Sequence, residues 1–153
     1  MTTENELLEI AKEVLTKNED LNAKLSGILM LAVMGLNKRR QATDIDIICD
    51  YLRENSSADG YPWVPKGFEF NNMDGNRSQV EAIQFINEDG IKIEFMASDE
   101  MGEVIDCIPC AELVMLVRAK LNYAKNDNSE ESRAKHLEDL VFLFEKNKKL
   151  QIF

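Results

Sequence analysis

The sequence predicts an α+β fold: a mixed β-sheet flanked by helices, with C-terminal helices packed on it. Three observations lead there. Helical periodicity marks both ends of the chain, while strands of alternating polar and apolar residues, "TDIDII" and "IKIEF", occupy the middle. The 153 residues, 44% hydrophobic and 30% charged, are enough for one real core and too few for two comfortable domains. The whole chain, 1–153, is therefore read as one domain, with a core over about 21–107 and a helical part over about 109–150.

Leu7, Leu8, Ile10, Ala11, Val14 and Leu15 recur at helical spacing between Thr3 and Lys17, and Glu4, Glu6 and Glu9 sit where a helix N-terminus favours acids. Asn18-Glu19-Asp20 ends this helix. After Leu21 to Lys24, "LSGILMLAVMGL" is apolar on nearly every side, which predicts a buried short helix opening near Gly27 and closing at Gly35. A basic turn, Lys38-Arg39-Arg40, then leads into the strand in "QATDIDIICD". From Tyr51 to Arg77, Gly60, Pro62, Pro65, Gly67 and Gly75 break every period, so a long excursion is expected, with one short strand at Phe68 to Phe70.

"VEAIQFINEDGIKIEFMAS" reads as a hairpin: strand Val80 to Asn87, a turn at Asp89-Gly90, and strand Ile91 to Met96. A short strand near Glu103 to Asp106 precedes "PCAELVMLVRAKLNYA", a helix with Pro109 in its first turn. The polar linker "KNDNSEES" separates it from a last helix, Ser132 to about Lys148, whose inward stripe is read as Leu137, Leu140, Val141 and Phe144.

Composition narrows the function. With 28 acidic residues against 18 basic and a net charge of −10, non-specific binding to a phosphate backbone is disfavoured, because such binding comes from Lys and Arg neutralising phosphates. A phosphate-bearing ligand would have to arrive with a cation. The longest apolar run, Ser26 to Leu36, is far short of the roughly 20 residues a membrane span needs, and the N-terminus lacks a basic export region. Three cysteines, an odd number, suit a reducing compartment, so a soluble cytoplasmic protein is expected.

Asp44 and Asp46 are spaced to share one face of a strand while Ile45 and Ile47 face the core. Glu94, out of phase with Ile91, Ile93 and Phe95, points to the polar face of its own strand. If the two strands are neighbours, the three carboxylates converge and repel unless a cation sits among them. Mg²⁺ suits such a site, since it takes oxygen ligands from one or two carboxylates and from substrate phosphates. The plainer readings remain beside this one: wet-face acids for the aspartates, and for Glu94 an exposed acid paired with Lys92.

A glycine opening a short helix, an arginine-bearing turn, an Asp-x-Asp strand and a later strand acid together resemble the nucleotidyltransferase superfamily of DNA polymerase β-like fold. The closest likeness is to small bacterial abortive-infection, minimal and antibiotic nucleotidyltransferases, and it spans about Leu25 to Leu143. The resemblance implies a Mg²⁺-dependent enzyme, with two metals suspected, that moves a nucleoside monophosphate from an NTP to a hydroxyl or amine acceptor on a small molecule, RNA or protein. It assigns Asp44, Asp46 and Glu94 as catalytic metal ligands, and Ser26, Gly27, Lys120 and Lys135 as nucleotide-binding residues; "RAKHLEDL", with Lys135 and Asp139, matches the family's last motif.

One position departs from that motif. Ile28 stands where the family carries Ser or Gly, and it can neither donate a side-chain hydrogen bond nor let phosphate approach the backbone closely. The alternative is therefore a catalytically impaired module that binds nucleotide or a protein partner, as an antitoxin would. Lys120 has a second reading as a lysine that snorkels into solvent. Arg39, Arg40 and Lys135 are read by themselves as solvated charge near an acidic strand, and His136, the only histidine, as a helix-surface or linker-packing residue. "CIPC", Cys107 to Cys110, resembles a thioredoxin-type motif at a helix start, but its flanking strand–helix pattern is missing, and Cys49 and His136 alone do not complete a zinc site.

Overall fold

The computed structural model describes residues 2–53, 60–71 and 82–150. The first helix, α1, spans Glu4–Lys17; Thr3 caps it, its Oγ1 accepting the Glu6 N–H at 3.1 Å. A 3₁₀ turn at Glu19–Leu21 leads to a three-residue strand, β1 (Lys24–Ser26), which runs straight into helix α2 (Gly27–Val33). Strand β2 covers Asp44–Cys49, β3 Glu69–Asn71, β4 Ala82–Ile86 and β5 Lys92–Ala97; β6 is Glu103–Ile105, β7 Ile108–Cys110, and the chain continues into α3 (Leu113–Asn126) and α4 (Glu130–Lys146). Val80, Glu81, Gly75 and Arg77 lie outside the described residues.

The strands form one mixed sheet in the order β3-β4-β5-β2-β1-β7-β6. β2 pairs with β5 in parallel and with β1 antiparallel, and β1 pairs with β7 in parallel. One face of β2 and β5 carries Ile45, Ile47, Ile93 and Phe95, all buried. On that side Phe85 meets Trp63, Tyr61 and Phe95 edge to face at centroid distances of 4.9, 5.0 and 6.0 Å, geometry that adds to simple area burial. Helix α1 packs on β1, β2 and α2 through Leu7, Ala11, Val14 and Leu15. Asn18, also buried, closes α1 against the excursion: its Nδ2 donates to the carbonyls of Val14 and Trp63, and its Oδ1 accepts from Arg53 Nε.

The α+β class, the helices at both ends, the hairpin turning at Gly90 and the strand beginning at Asp44 all agree with the sequence. Four details differ. β1 was hidden because a three-residue strand leaves no period to read. Pro109 lies in β7 instead of a helix; Asp106 and Cys107, with φ of +51° and +66°, form the two-residue turn of a β6–β7 hairpin, a conformation usually signalled by Asn-Gly. α3 starts only at Leu113, so the two cysteines are not at a helix start. Burial pushes the Cys110 thiol up to about 11, opposite to a reactive redox thiolate.

The fourth difference is the inward face of α4. Leu140 and Leu143 are buried there together with Asp139, whereas Leu137, Val141 and Phe144 are 53%, 48% and 39% exposed. The apolar spacing alone pointed the helix about a quarter turn away from its real orientation. A buried carboxylate accounts for the rotation, as its partners show below.

Phe85 is fully buried among four other aromatic rings. Phe85→Ala is expected to cost about 3–5 kcal/mol in urea denaturation, by lost transfer energy and the cavity left behind.

Candidate functional site

The site begins with strand register. Ser26 pairs with Asp46, Asp46 with Glu94, and Glu94 with Gln84, so these four residues form one row across β1, β2, β5 and β4. Neighbouring strands stand about 4.8 Å apart, which brings Asp46 and Glu94 side by side. Asp44 lies on the same face one pleat away, opposite Lys92. All six residues line a cavity of about 590 Å³, within the usual size range of small-molecule sites.

Gly27 sets the position of Asp46. It has φ +69°, and a Cβ built on it would fall 2.1 Å from Asp46 Oδ2. The aspartate carboxylate thus lies directly against the glycine backbone, in space that any side chain would fill. Ile28, in the same helical turn, also lines the cavity.

The opposite wall is basic and comes from α3, α4 and the turn before β2. Lys120, buried in the middle of α3, donates from Nζ to Asp139 Oδ2 at 3.0 Å. Arg39 Nε donates to Asp139 Oδ1 at 3.0 Å, and Arg40 Nη2 to Asp139 Oδ2 at 3.0 Å. Burial acts to raise the Asp139 pKa, but the hydrogen bond from Arg40 and the charge and hydrogen bond of Lys120 outweigh it, so the carboxyl is held far below its usual range. Burial also pulls Lys120 down, against the attraction of Asp139; the field of Asp46 reaches it from across the cavity and favours its charge. Asp139 is thus met by three cationic side chains, and Asp139 is the carboxylate that Lys120 Nζ reaches in its buried position.

This network corrects two readings. Arg39 and Arg40 are not merely solvated charge beside an acidic strand, since both clamp Asp139 and tie the turn to α4. Nor does Lys120 snorkel into solvent. The turn is held further by Glu4, which accepts from the Ala42 N–H at 2.7 Å and pairs with Lys38 at 2.9 Å, and by Asn37 and Asn147, joined by two backbone-to-side-chain bonds of 3.0 and 2.9 Å.

Lys135 and His136 of α4 line the cavity as well. His136 stacks obliquely on Tyr123, with centroids 5.0 Å apart, and its Nε2 lies 3.9 Å from Asp127 Oδ2; Ser132 Oγ donates to the same oxygen. Gln84, Tyr123, Asp127 and Ser132 are cavity residues that the sequence did not single out. Only Gln84 had an available signal, its place two residues from the end of an alternating strand. Asp50 stays outside the row, accepting from Asn22 Nδ2 at 2.7 Å at the far end of β2.

The donors on the acidic side are carboxylate oxygens, the chemistry of hard divalent cations. Among the described residues, no group of three or more His, Cys, Asp or Glu is arranged to hold a metal ion on its own.

Two consequences can be measured. Gly27→Ala forces a left-handed backbone on a Cβ-bearing residue and displaces Asp46, so a loss of about 1–2 kcal/mol or more is expected in denaturant melts. Asp139→Asn leaves Lys120 without its anion and is expected to cost about 3–5 kcal/mol at pH 7. Because the folded pKa of Asp139 lies below the unfolded one, its contribution is complete above the unfolded value and fades as pH falls through the folded value. The stability gap between wild type and Asp139→Asn should therefore be constant from pH 8 to about 5 and narrow below about pH 4.

No protein-family model matches the sequence, and no curated protein is similar enough to align with it. Solved structures do resemble it. JHP933 from Helicobacter pylori superposes with a TM-score of 0.55 at 18% identity, over 93% of this chain and 66% of that one. A structure described as a candidate nucleotidyltransferase from H. pylori gives a TM-score of 0.55 at 19% identity, over 93% of this chain and 68% of the other. This chain thus spans about two thirds of the length of each. At this identity the likeness concerns the fold alone, which this chain shares with both structures.

Proposed function

We propose that this chain is a Mg²⁺-dependent nucleotidyltransferase that moves a nucleoside monophosphate from an NTP to a hydroxyl or amine acceptor. The observation that carries the reading is the opposition of two walls in one cavity: Asp44, Asp46 and Glu94 on the sheet, Lys120, Arg40 and Lys135 across from them. Bare carboxylates would repel a triphosphate, so the acidic wall is consistent with a substrate that brings cations.

Asp44 and Asp46 would hold the metal, with Glu94 beside Asp46 as a third ligand or as the base for the acceptor. Once bound, the metal would supply Lewis-acid activation of the phosphate and neutralise charge on the leaving pyrophosphate. Lys120 and Arg40 add fixed positive charge on the opposite wall, where negative charge grows as pyrophosphate departs. Asp139 keeps both oriented. Ser26 stands beside Asp46, where its hydroxyl would contact phosphate oxygens, Gly27 leaves the room that the Asp46 carboxylate occupies, and Lys135 would add charge to the cavity lining.

Ile28 favours a second reading, a nucleotide- or partner-binding module of antitoxin type without turnover. Its side chain occupies the first turn of α2, where a hydroxyl would otherwise serve the triphosphate.

Transfer of label from each α-³²P-labelled NTP, with Mg²⁺, into total RNA, total protein or a small-metabolite extract separates the two. The enzyme reading expects label in one fraction and a loss of about 100-fold or more in Asp46→Asn, since even residues that only support metal ligands cost 10–100-fold. Thermal stabilisation by Mg²⁺ and ATP without transfer selects the binding module. Absence of both effects rejects both readings.

A further inference from the structure

Gln84 is 5% exposed and lines the cavity at the far end of the row that begins with Ser26. Its side-chain oxygen is engaged away from that row. Gln84 Oε1 accepts from Asn71 Nδ2 at 2.6 Å, and Asn71 is its register partner on β3. An amide is planar and carries its oxygen and its NH2 on opposite sides, so an oxygen turned toward β3 turns the NH2 toward β5 and the cavity. Among the described residues this NH2 meets no acceptor. A buried donor in that state costs about 1–3 kcal/mol, which a ligand oxygen would recover.

The order of the row decides which ligand carries that oxygen, given the nucleotidyltransferase reading on which this step rests. Ser26 and Asp46 stand on the phosphate side, Glu94 follows, and Gln84 comes last, one strand spacing of about 4.8 Å beyond Glu94. With nucleotide and metal at the first two, the last two are left for the acceptor. In the transfer, the acceptor atom uses one lone pair to bond the α-phosphorus, pyrophosphate leaves with the electrons of the bond that breaks, and the acceptor's proton passes to Glu94. A hydroxyl oxygen has a second lone pair, which can accept from the Gln84 NH2 during that step. An amine nitrogen has only the one. A protonated amine has none and sets its own N–H groups against the amide donor.

We infer that Gln84 binds the acceptor and selects a hydroxyl over an amine, and that Asn71 is the positioning residue that fixes which end of the amide meets it. Asn71 is not among the described residues that line the cavity, so its effect passes through Gln84. A site built to donate to an oxygen discriminates strongly against a group that leaves the donor unpaired. The acceptor chemistry is thus an alcohol, whether it is carried by a small molecule, RNA or protein.

The test uses the full chain with Mg²⁺, α-³²P-labelled NTPs and the three acceptor fractions, and circular dichroism melts confirm that each variant is folded. The fraction that takes label identifies the source of the alcohol. The label is expected to survive mild acid, as a phosphate ester does and a phosphoramidate does not. Asn71→Asp presents a carboxylate to the Gln84 NH2 and turns the amide over, so it should raise the apparent KM for the acceptor fraction about tenfold and leave the KM for NTP unchanged. Asn71→Ala only releases the amide and should cost about threefold or less. A packing role would reverse that order, since alanine removes more contact. Acid-labile label, an Asn71→Asp effect no larger than that of Asn71→Ala, or an equal rise in the KM for NTP overturns the inference alone. Absence of label from every fraction rejects the nucleotidyltransferase reading, and the inference with it.

Discussion

The carboxylate of Asp139 is the constraint on which the rest of the site depends. It is buried, and three cations from two distant parts of the sequence converge on it: Arg39 and Arg40 from the turn before β2, and Lys120 from α3. An ion removed from water in this way costs several kcal/mol unless its partners are well placed, so the geometry of the three segments is fixed together or not at all. That coupling holds the two C-terminal helices over the sheet and leaves a cavity between them. A well-packed apolar contact in its place could match its stability. It could not leave two cations facing a row of acids.

The part of the site written in local alternation was legible from the sequence. Asp44, Asp46 and Glu94 could be placed on one face because residues i and i+2 share a side of a strand, and Ile45, Ile47, Ile93 and Phe95 then had to fill the other. Whether β2 and β5 were neighbours was not legible, since strand order is set by contacts far apart in sequence. β1, which brings Ser26 and Gly27 into the row, was too short to carry a pattern. The hairpin at Asp106-Cys107 was missed because its two residues adopt a left-handed backbone without glycine or asparagine.

The misread face of α4 has the same origin as the site itself. Leu137, Leu140, Val141 and Phe144 make a credible inward stripe on hydrophobicity alone. That stripe leaves Asp139 out. Its three cationic partners reverse the assignment, turning Leu143 inward and Val141 outward, so a single polar network both assembles the cavity wall and exposes an apolar stripe behind it. Pattern reading fails at such a place because the partners of a buried charge are invisible along one helix.

The strand order also has a consequence for how the chain is made. The floor of the cavity joins β1, β2 and β5, all synthesised by Ala97, while its roof waits for Lys120 and then Asp139. At about 5–20 residues per second, translation leaves roughly 5–20 s between Asp46 and Asp139. During that interval the nascent sheet presents its acids to solvent, and Arg39 and Arg40 await the anion that will fix them. The helix that carries Asp139 is thus the one that seals the chamber, and the site is complete only once synthesis has passed that helix.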